Sequence, residues 1–367
     1  MIVLYILLAV VILLFMILVH ELGHYLVGKM LKFKIEEFAI GFGPAIFTKI
    51  SKKTGEKFSL RAFPLGGYCA FEGEGEEKES DSPTAFNKQK PWKRILVLLG
   101  GVTMNFITAI LFSWILLCTL GYDVPKINSF NTDYANPYHV GDVITAIDGK
   151  EIDFAFGGNY VALVNEQRTK AKTYYTENGI DAEKYSFEMK IKRDGKTEKL
   201  TIVVYPKMET NTEGEEYLNT YTGLESNAGE KPRTSAYVYN AWEGFCRSFE
   251  MAFGFAWVVL KSLWLLITFQ LPITQMTGTI GTITTIATIA SQSLSYLLIF
   301  IPLIAANLAV FNLLPIPALD GSHILFVLIE WIRGKPINRK VENTIHMVGL
   351  IVLFTFVVIV DILHFVL

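Results

Sequence analysis

Residues 15–30 read FMILVHELGHYLVGKM, and this stretch decides the fold because two histidines and a glutamate stand inside a run that is otherwise hydrocarbon. Upstream, residues 2–19, IVLYILLAVVILLFMILV, are all apolar, and apolar character resumes around His24 as far as Met30. At about 1.5 Å per helical residue this is enough to cross a hydrocarbon core of about 30 Å. The sequence therefore predicts a spanning helix at the N-terminus. No basic segment precedes the run and no small-x-small site follows it, which favours an uncleaved helix over a secretory signal.

The rest of the composition agrees. Of 367 residues, 51% are hydrophobic and 13% aromatic, mean hydropathy is +0.36, and the apolar residues gather in blocks, as in a membrane protein. A formal net charge of -2 offers no footprint for a polyanion, so nucleic-acid binding has no support. Cys69, Cys118 and Cys246 are an odd number, and Cys118 lies in an apolar run, so they form no disulfide framework.

Working outward, residues 1–31 form the first span and 32–94 a polar segment holding twelve Lys and Arg. By the positive-inside rule that segment faces the cytoplasm. Its acidic cluster EGEGEEKESD, Glu72 to Asp81, reads as a solvated surface loop. Residues 95–121 make a second span, with Gly100, Gly101 and Thr103 as a small face for close helix packing and Asn105 in need of a partner.

Residues 122–226 turn polar, and VGDVITAIDGKEI and FEMKIKRDGKTEKLTIVVYP read as strands joined at Asp148-Gly149 and Asp194-Gly195, a small β-rich domain. Residues 227–293 hold a linker around NAGEKPRTS and an apolar, aromatic segment, 241–271, that carries Arg247, Glu250 and Lys261 and either spans or lies on the surface. Residues 294–316 are a third span ending at Pro315 and Pro317, and 317–344 a turn with a basic loop on the cytoplasmic side. A final span occupies 345–367.

His20 and His24 are four residues apart, so their imidazoles project from one helix face about a turn apart, as two ligands of a tetrahedral metal require. With Glu21 between them they form H-E-x-x-H, in which the two His bind Zn2+ and the Glu is general base toward water. The alternative is a cluster of polar groups hydrogen-bonding neighbouring helices. Ionisable groups deep in a membrane cost about 2.5–3.5 kcal/mol each on insertion scales, and a metal would compensate that cost.

A catalytic zinc keeps three protein ligands and one open position, so a third ligand is required from another segment. NLLPIPALDGSH, residues 312–323, offers Asp320, because its prolines break the helix and Asp-Gly turns a carboxylate back into the bundle. Asp320 could instead cap the following helix. His323 is a further candidate ligand, better suited to packing or to support of a ligand. His20 lies about 27 Å along the first helix, near its cytoplasmic end, so Asp320 reaches the same depth only if the 241–271 segment does not cross.

These residues resemble the site-2 proteases, intramembrane zinc metalloproteases, most nearly the bacterial RseP/RasP type. The resemblance is carried in order by HELGH at 20–24, GFGP at 41–44, FPLGGY at 63–68, KPWKRILVLLGGVTMNF at 90–106 and NLLPIPALDGSH at 312–323. It implies His20, His24 and Asp320 as zinc ligands, Glu21 as catalytic base, and Asn312 beside the substrate backbone or the transition state. It also implies a re-entrant β-hairpin at the membrane surface over about residues 33–71 and a PDZ-like domain over 123–206. The run NTDYANPYHVGD departs from the family's usual small residues there, leaving peptide binding and a size filter both open.

The expectation is thus an α-helical membrane protein of four transmembrane helices with a re-entrant β-hairpin and one extracytoplasmic PDZ-like domain, in the lipid bilayer of a bacterial cytoplasmic membrane. It would act as a monomer on a single-span membrane protein, by resemblance an anti-sigma factor or remnant signal peptide. A non-catalytic PDZ scaffold with a structural metal is the alternative, and Glu21 would have no use in it. A metal transporter would need polar residues continuing through the bundle, and few occur in the spans.

Overall fold

The apolar N-terminal run is one uninterrupted helix, α1 (Ile2–Met30), in the computed structural model, which describes residues 2–74, 82–122, 124–152, 159–211, 214–226, 231–270 and 278–366. Val3, Leu4, Leu7, Val11 and Phe15 stand exposed along it. Apolar surface left uncovered at about 25 cal/mol per Å2 is stable only against lipid. The chain divides into two units, Met1–Ser113 with Phe255–Leu367, and Trp114–Gly254.

After α1 come two long antiparallel strands, β1 (Ile35–Ile50) and β2 (Lys57–Phe71). The pair curls on itself. Phe38, Ala39 and Ile40 each face two partners, Cys69, Tyr68 and Gly67 on one side and Phe58, Ser59 and Leu60 on the other. Its two ends meet α1 at different heights: Gly67 lies near Leu18 and Glu21, whereas Glu56 is bound by Tyr25 and Lys29 in the last turns of α1.

α2 (Pro91–Thr119) starts with proline in the first turn, where no intrahelical N–H is needed. It runs antiparallel to α1, with Gly100 against Gly23, where a Cβ on either would strike the other's backbone. The expected small face is corrected in one position. Thr103 is exposed and its hydroxyl donates to Leu99 O on its own helix, so the close contact rests on the glycines.

The unit Trp114–Gly254 holds a sheet ordered β10-β3-β4-β6-β7, with β5 paired to β4. The strands are β3 (Pro125–Ile127), β4 (Val143–Ile147), β5 (Lys150–Glu151), β6 (Ser186–Arg193), β7 (Lys196–Val203) and β10 (Thr234–Ala236). Asp148-Gly149 and Asp194-Gly195 make its tight turns, all four residues at positive φ, as two-residue hairpin loops require. β8 (Tyr205–Thr210) and β9 (Glu216–Tyr221) form a separate hairpin. Ile144, Ile147, Ile191 and Ile202 build the core.

Against that core packs α3 (Tyr160–Asn178), capped by Asn159. This helix was not among the sequence expectations. Its buried stripe is Leu163, Gln167, Ala171 and Tyr175, too polar and too small to announce an amphipathic pattern. Gln167 is satisfied only by distant groups, donating to Asp148 and accepting from Tyr185.

α4 (Ala241–Ile267) is a single continuous helix of 27 residues. It is followed by α5 (Thr279–Gln292), α6 (Leu297–Leu313), α7 (Asp320–Arg333) and α8 (Arg339–Val366). Among the described residues five helical segments are long and apolar enough to cross a membrane, those of α1, α2, α4, α6 and α8. α4 is the addition to the four expected, qualifying despite Arg247, Glu250 and Lys261. α6 runs alongside α1 in the same sense, since Leu297 clusters with Ala9 and Asn312 faces His20.

The expected acidic loop is described only at its start, where Gly73 is buried and Glu72 and Glu74 are half-buried rather than solvated. Residues 75–81 lie outside the described residues, as do 227–230 of the expected linker and 271–277.

Candidate metal centre

The site begins with the lean of two imidazoles from α1 onto α2. Their seat is Gly101, where a Cβ would stand 2.5 Å from His24 Nε2 and 2.6 Å from His20 Cε1. No side chain fits there. His24 Nδ1 lies 2.9 Å from Val97 O. A carbonyl can only accept, so Nδ1 carries the proton and the lone pair sits on Nε2.

The second histidine is oriented by an amide. Asn105 Nδ2 lies 3.2 Å from His20 Nδ1, while Asn105 Oδ1 is buried without a partner. With the amide turned over, Oδ1 accepts from Nδ1–H and the orphan is satisfied, again leaving the lone pair on Nε2.

The third group arrives from the helix break after α6. Pro315 and Pro317 end the helix, Ala318 adopts a left-handed φ of 78°, and Asp320 opens α7. The side chain makes no cap there: the N-cap is Leu319, without a side-chain hydrogen bond. Instead Asp320 Oδ2 lies 2.9 Å from His20 Nε2 and 3.3 Å from His24 Nε2, and the two Nε2 atoms are 3.1 Å apart.

Three lone-pair atoms therefore face one another with no proton required between them, which is favourable only around a cation. Tetrahedral zinc with bonds of about 2.0–2.1 Å to N and O separates its ligands by about 3.3 Å, close to these spacings. Two imidazoles and one carboxylate are also the ligand count that leaves a fourth position open. The residues fit Zn2+.

Glu21 and Asn312 line the same cavity, of about 270 Å3, with His20, Asn105, Leu308 and Asp320. The Glu21 carboxylate also faces the Cys69 backbone of β2. Asn312, in the last turn of α6, holds its amide 3.4 Å from His20 Nδ1. Burial pushes the Glu74 carboxyl up to about 7.

His323 is not in this cluster. Its ring stacks on His346 with centroids 3.9 Å apart and planes 9° from parallel, and Nδ1 lies 3.9 Å from Glu342. Parallel stacked rings aim their in-plane lone pairs side by side, so this second grouping offers no shared point for an ion. His346 instead holds the turn before Asp320, its Nδ1 accepting from Ala318 N–H at 3.1 Å. Sequence reading left Asn105 without its partner and did not find the role of Gly101 or His346. An asparagine inside a span was the available signal for the first, and His346 had none.

The model of peptidase family M50 matches residues 8–356. A Fusobacterium nucleatum protein provisionally named zinc metalloprotease FN1322 is 29% identical, covering 97% of each chain. A Clostridium perfringens protein provisionally named zinc metalloprotease CPE1693 is 31% identical, covering 95% of this chain and 94% of its own. An Arabidopsis thaliana chloroplast protein named, as probable, membrane metalloprotease ARASP2 is 30% identical over 92% of this chain and 75% of its own.

Proposed function

The chain belongs to peptidase family M50 and is a membrane zinc metalloprotease, and from that premise we propose that it cuts a peptide bond within or beside the transmembrane segment of a single-span protein. The observation that carries this reading is the triangle of His20 Nε2, His24 Nε2 and Asp320 Oδ2, 2.9–3.3 Å on a side, two of its corners on a helix apolar enough to span. Anti-sigma factors and remnant signal peptides are the substrate classes that regulated intramembrane proteolysis would supply.

His20, His24 and Asp320 would hold Zn2+, which would supply Lewis-acid chemistry toward the scissile carbonyl and the attacking water. Glu21, on the same cavity wall, would accept a proton from the attacking water and return it to the leaving amine. Asn312 extends an amide N–H toward the developing oxyanion or the substrate backbone. Gly67 to Cys69 of β2 lie beside Glu21, so an unwound substrate can add to that strand while its carbonyl enters the cavity. A helical substrate needs such a place, because its peptide bonds are hidden in its own hydrogen-bond ladder.

In this reading four helices cross the bilayer. α1 and α2 are antiparallel and α6 runs with α1, so between α2 and α6 the chain makes no net crossing. α5, at 14 residues or about 21 Å, falls short of the core and could not return a crossing made by α4. α4 then lies along the surface, as its Arg247, Glu250 and Lys261 favour. The twelve cations of residues 32–94 put the end of α1 in the cytoplasm of a bacterial cell, with the β-rich unit outside as a PDZ-like domain.

The experiment is to purify wild type and Glu21→Gln, assay zinc in both, and follow cleavage of a single-span substrate. Both should hold zinc, with cleavage lowered about 10²–10⁴-fold in the variant. Full activity in the variant ends the mechanism.

A further inference from the structure

The far end of the curled β1–β2 sheet carries a charge pattern that catalysis does not use. Lys49, Lys52, Lys53 and Lys57 are exposed around the turn between the strands, and none of them is in an ion pair among the described residues. The one acid of that turn, Glu56, is buried and already bound to Lys29 and the Tyr25 hydroxyl. Four positive charges are left without compensation.

Their height in the membrane follows from α1. Glu56 meets Tyr25 and Lys29, and the Phe58 ring lies 5.9 Å from that of Tyr25, so the turn sits level with the last turns of a spanning helix, where hydrocarbon gives way to headgroups. Toward the other end the same sheet exposes Phe42, Ile46, Phe47 and Phe63, and Gly67 reaches the depth of Leu18 and Glu21. The element is therefore apolar where it is deep and cationic where it is shallow.

We propose that Lys49, Lys52, Lys53 and Lys57 seat the β1–β2 turn on the anionic headgroups of the leaflet at which α1 ends. Lysines at such a surface are attracted by its negative potential, over a range set by a Debye length of about 8 Å at physiological ionic strength. The apolar face of the sheet enters the acyl region beneath, and the seat holds the opposite end, Gly67 to Cys69, against Glu21. An acidic protein partner would be insensitive to lipid charge, which separates it from this proposal.

The test uses the full-length protein in nanodiscs of phosphatidylcholine alone or with about one third phosphatidylglycerol. Amine acylation read by mass spectrometry should be at least about threefold slower at the four lysines in the anionic bilayer, the difference vanishing in high salt, while exposed Lys196 of the other unit keeps one rate. Hydrogen exchange of residues 51–56 provides the second readout. It should slow in the anionic bilayer for wild type and be equal in both bilayers for the combined Lys49→Gln, Lys52→Gln, Lys53→Gln, Lys57→Gln variant. Equal lysine rates in the two bilayers, or a lipid dependence that survives in the variant, overturns the proposal.

Discussion

Asn105 of α2 and His20 of α1, 85 positions apart in the chain, meet through amide and imidazole at 3.2 Å. Asn105 is wholly buried, and its contact fixes which nitrogen of His20 faces His24 and Asp320. A polar residue inside a span is tolerated here because it orients an imidazole of the candidate metal centre.

Replacing Asn105 by Ala should weaken zinc binding about 10–100-fold, the usual effect of removing the group that orients a ligating histidine. Asn105→Asp keeps an acceptor for Nδ1–H and should retain more affinity than Asn105→Ala. Competition with a chelator of known affinity measures both. Equal affinity in wild type and Asn105→Ala would remove the amide from the site.

Gly101→Ala places a methyl 2.5–2.7 Å from ring atoms of both histidines. Neither ring can retreat without losing its second hydrogen bond, to Val97 O or Asn105. Zinc content after purification should fall by about tenfold or more, as for loss of a ligand's support, while the helical circular dichroism signal is preserved. Metal analysis beside the spectrum is the check.

His346 anchors the turn that delivers Asp320 by accepting from Ala318 N–H, at a residue whose left-handed φ costs about 1–3 kcal/mol and persists only when held. His346→Ala leaves that N–H unpaired and should lower stability by about 1–3 kcal/mol, with weaker zinc retention. His346→Asn, which offers an acceptor near the same place, should recover part of both. Thermal unfolding in detergent, with and without added zinc, distinguishes the two variants.

Asp142 predicts a pH dependence in the β-rich unit. Burial would raise its carboxyl, but Arg193, at 2.8 and 2.7 Å, and the His139 N–H, at 2.9 Å, hold it below its ordinary value. A depressed carboxyl stabilises the fold above the unfolded pKa of about 3.9, and that stability is lost as pH falls through the folded value. Amide protection across residues 143–204, measured relative to the intrinsic exchange rate at each pH, should therefore fall below about pH 4 and stay level from about pH 5 to 8. Asp142→Asn should lose about 1.5–3 kcal/mol at neutral pH and lack the acid step.

How much of this was written locally varies from element to element. Asp148-Gly149 and Asp194-Gly195 announced their turns because only a few residue types accept positive φ at consecutive positions. α3 gave no such notice, since its buried stripe includes the small Ala171 and Gln167, which is satisfied through Asp148 and Tyr185. α4 shows the limit from the other side. Length and composition qualify it as a span, while the proposed surface position rests on the shared direction of α1 and α6, which is no property of residues 241–267.

The amino-acid sequence by itself determined the apolar blocks, the DG turns, and the spacing of His20 and His24 that puts two imidazoles on one helix face, because these depend on the 3.6-residue period and on local backbone preferences. It also singled out Asp320 as a carboxylate on a broken helix. Only the tertiary structure decided that Asp320 Oδ2 comes within 3.3 Å of both histidines, that Gly101 clears the space for them, and that Asn105 and Val97 choose the nitrogen each presents. Those are contacts between segments as much as three hundred positions apart, and a lone pair's direction is set by whatever hydrogen-bonds the other side of the ring.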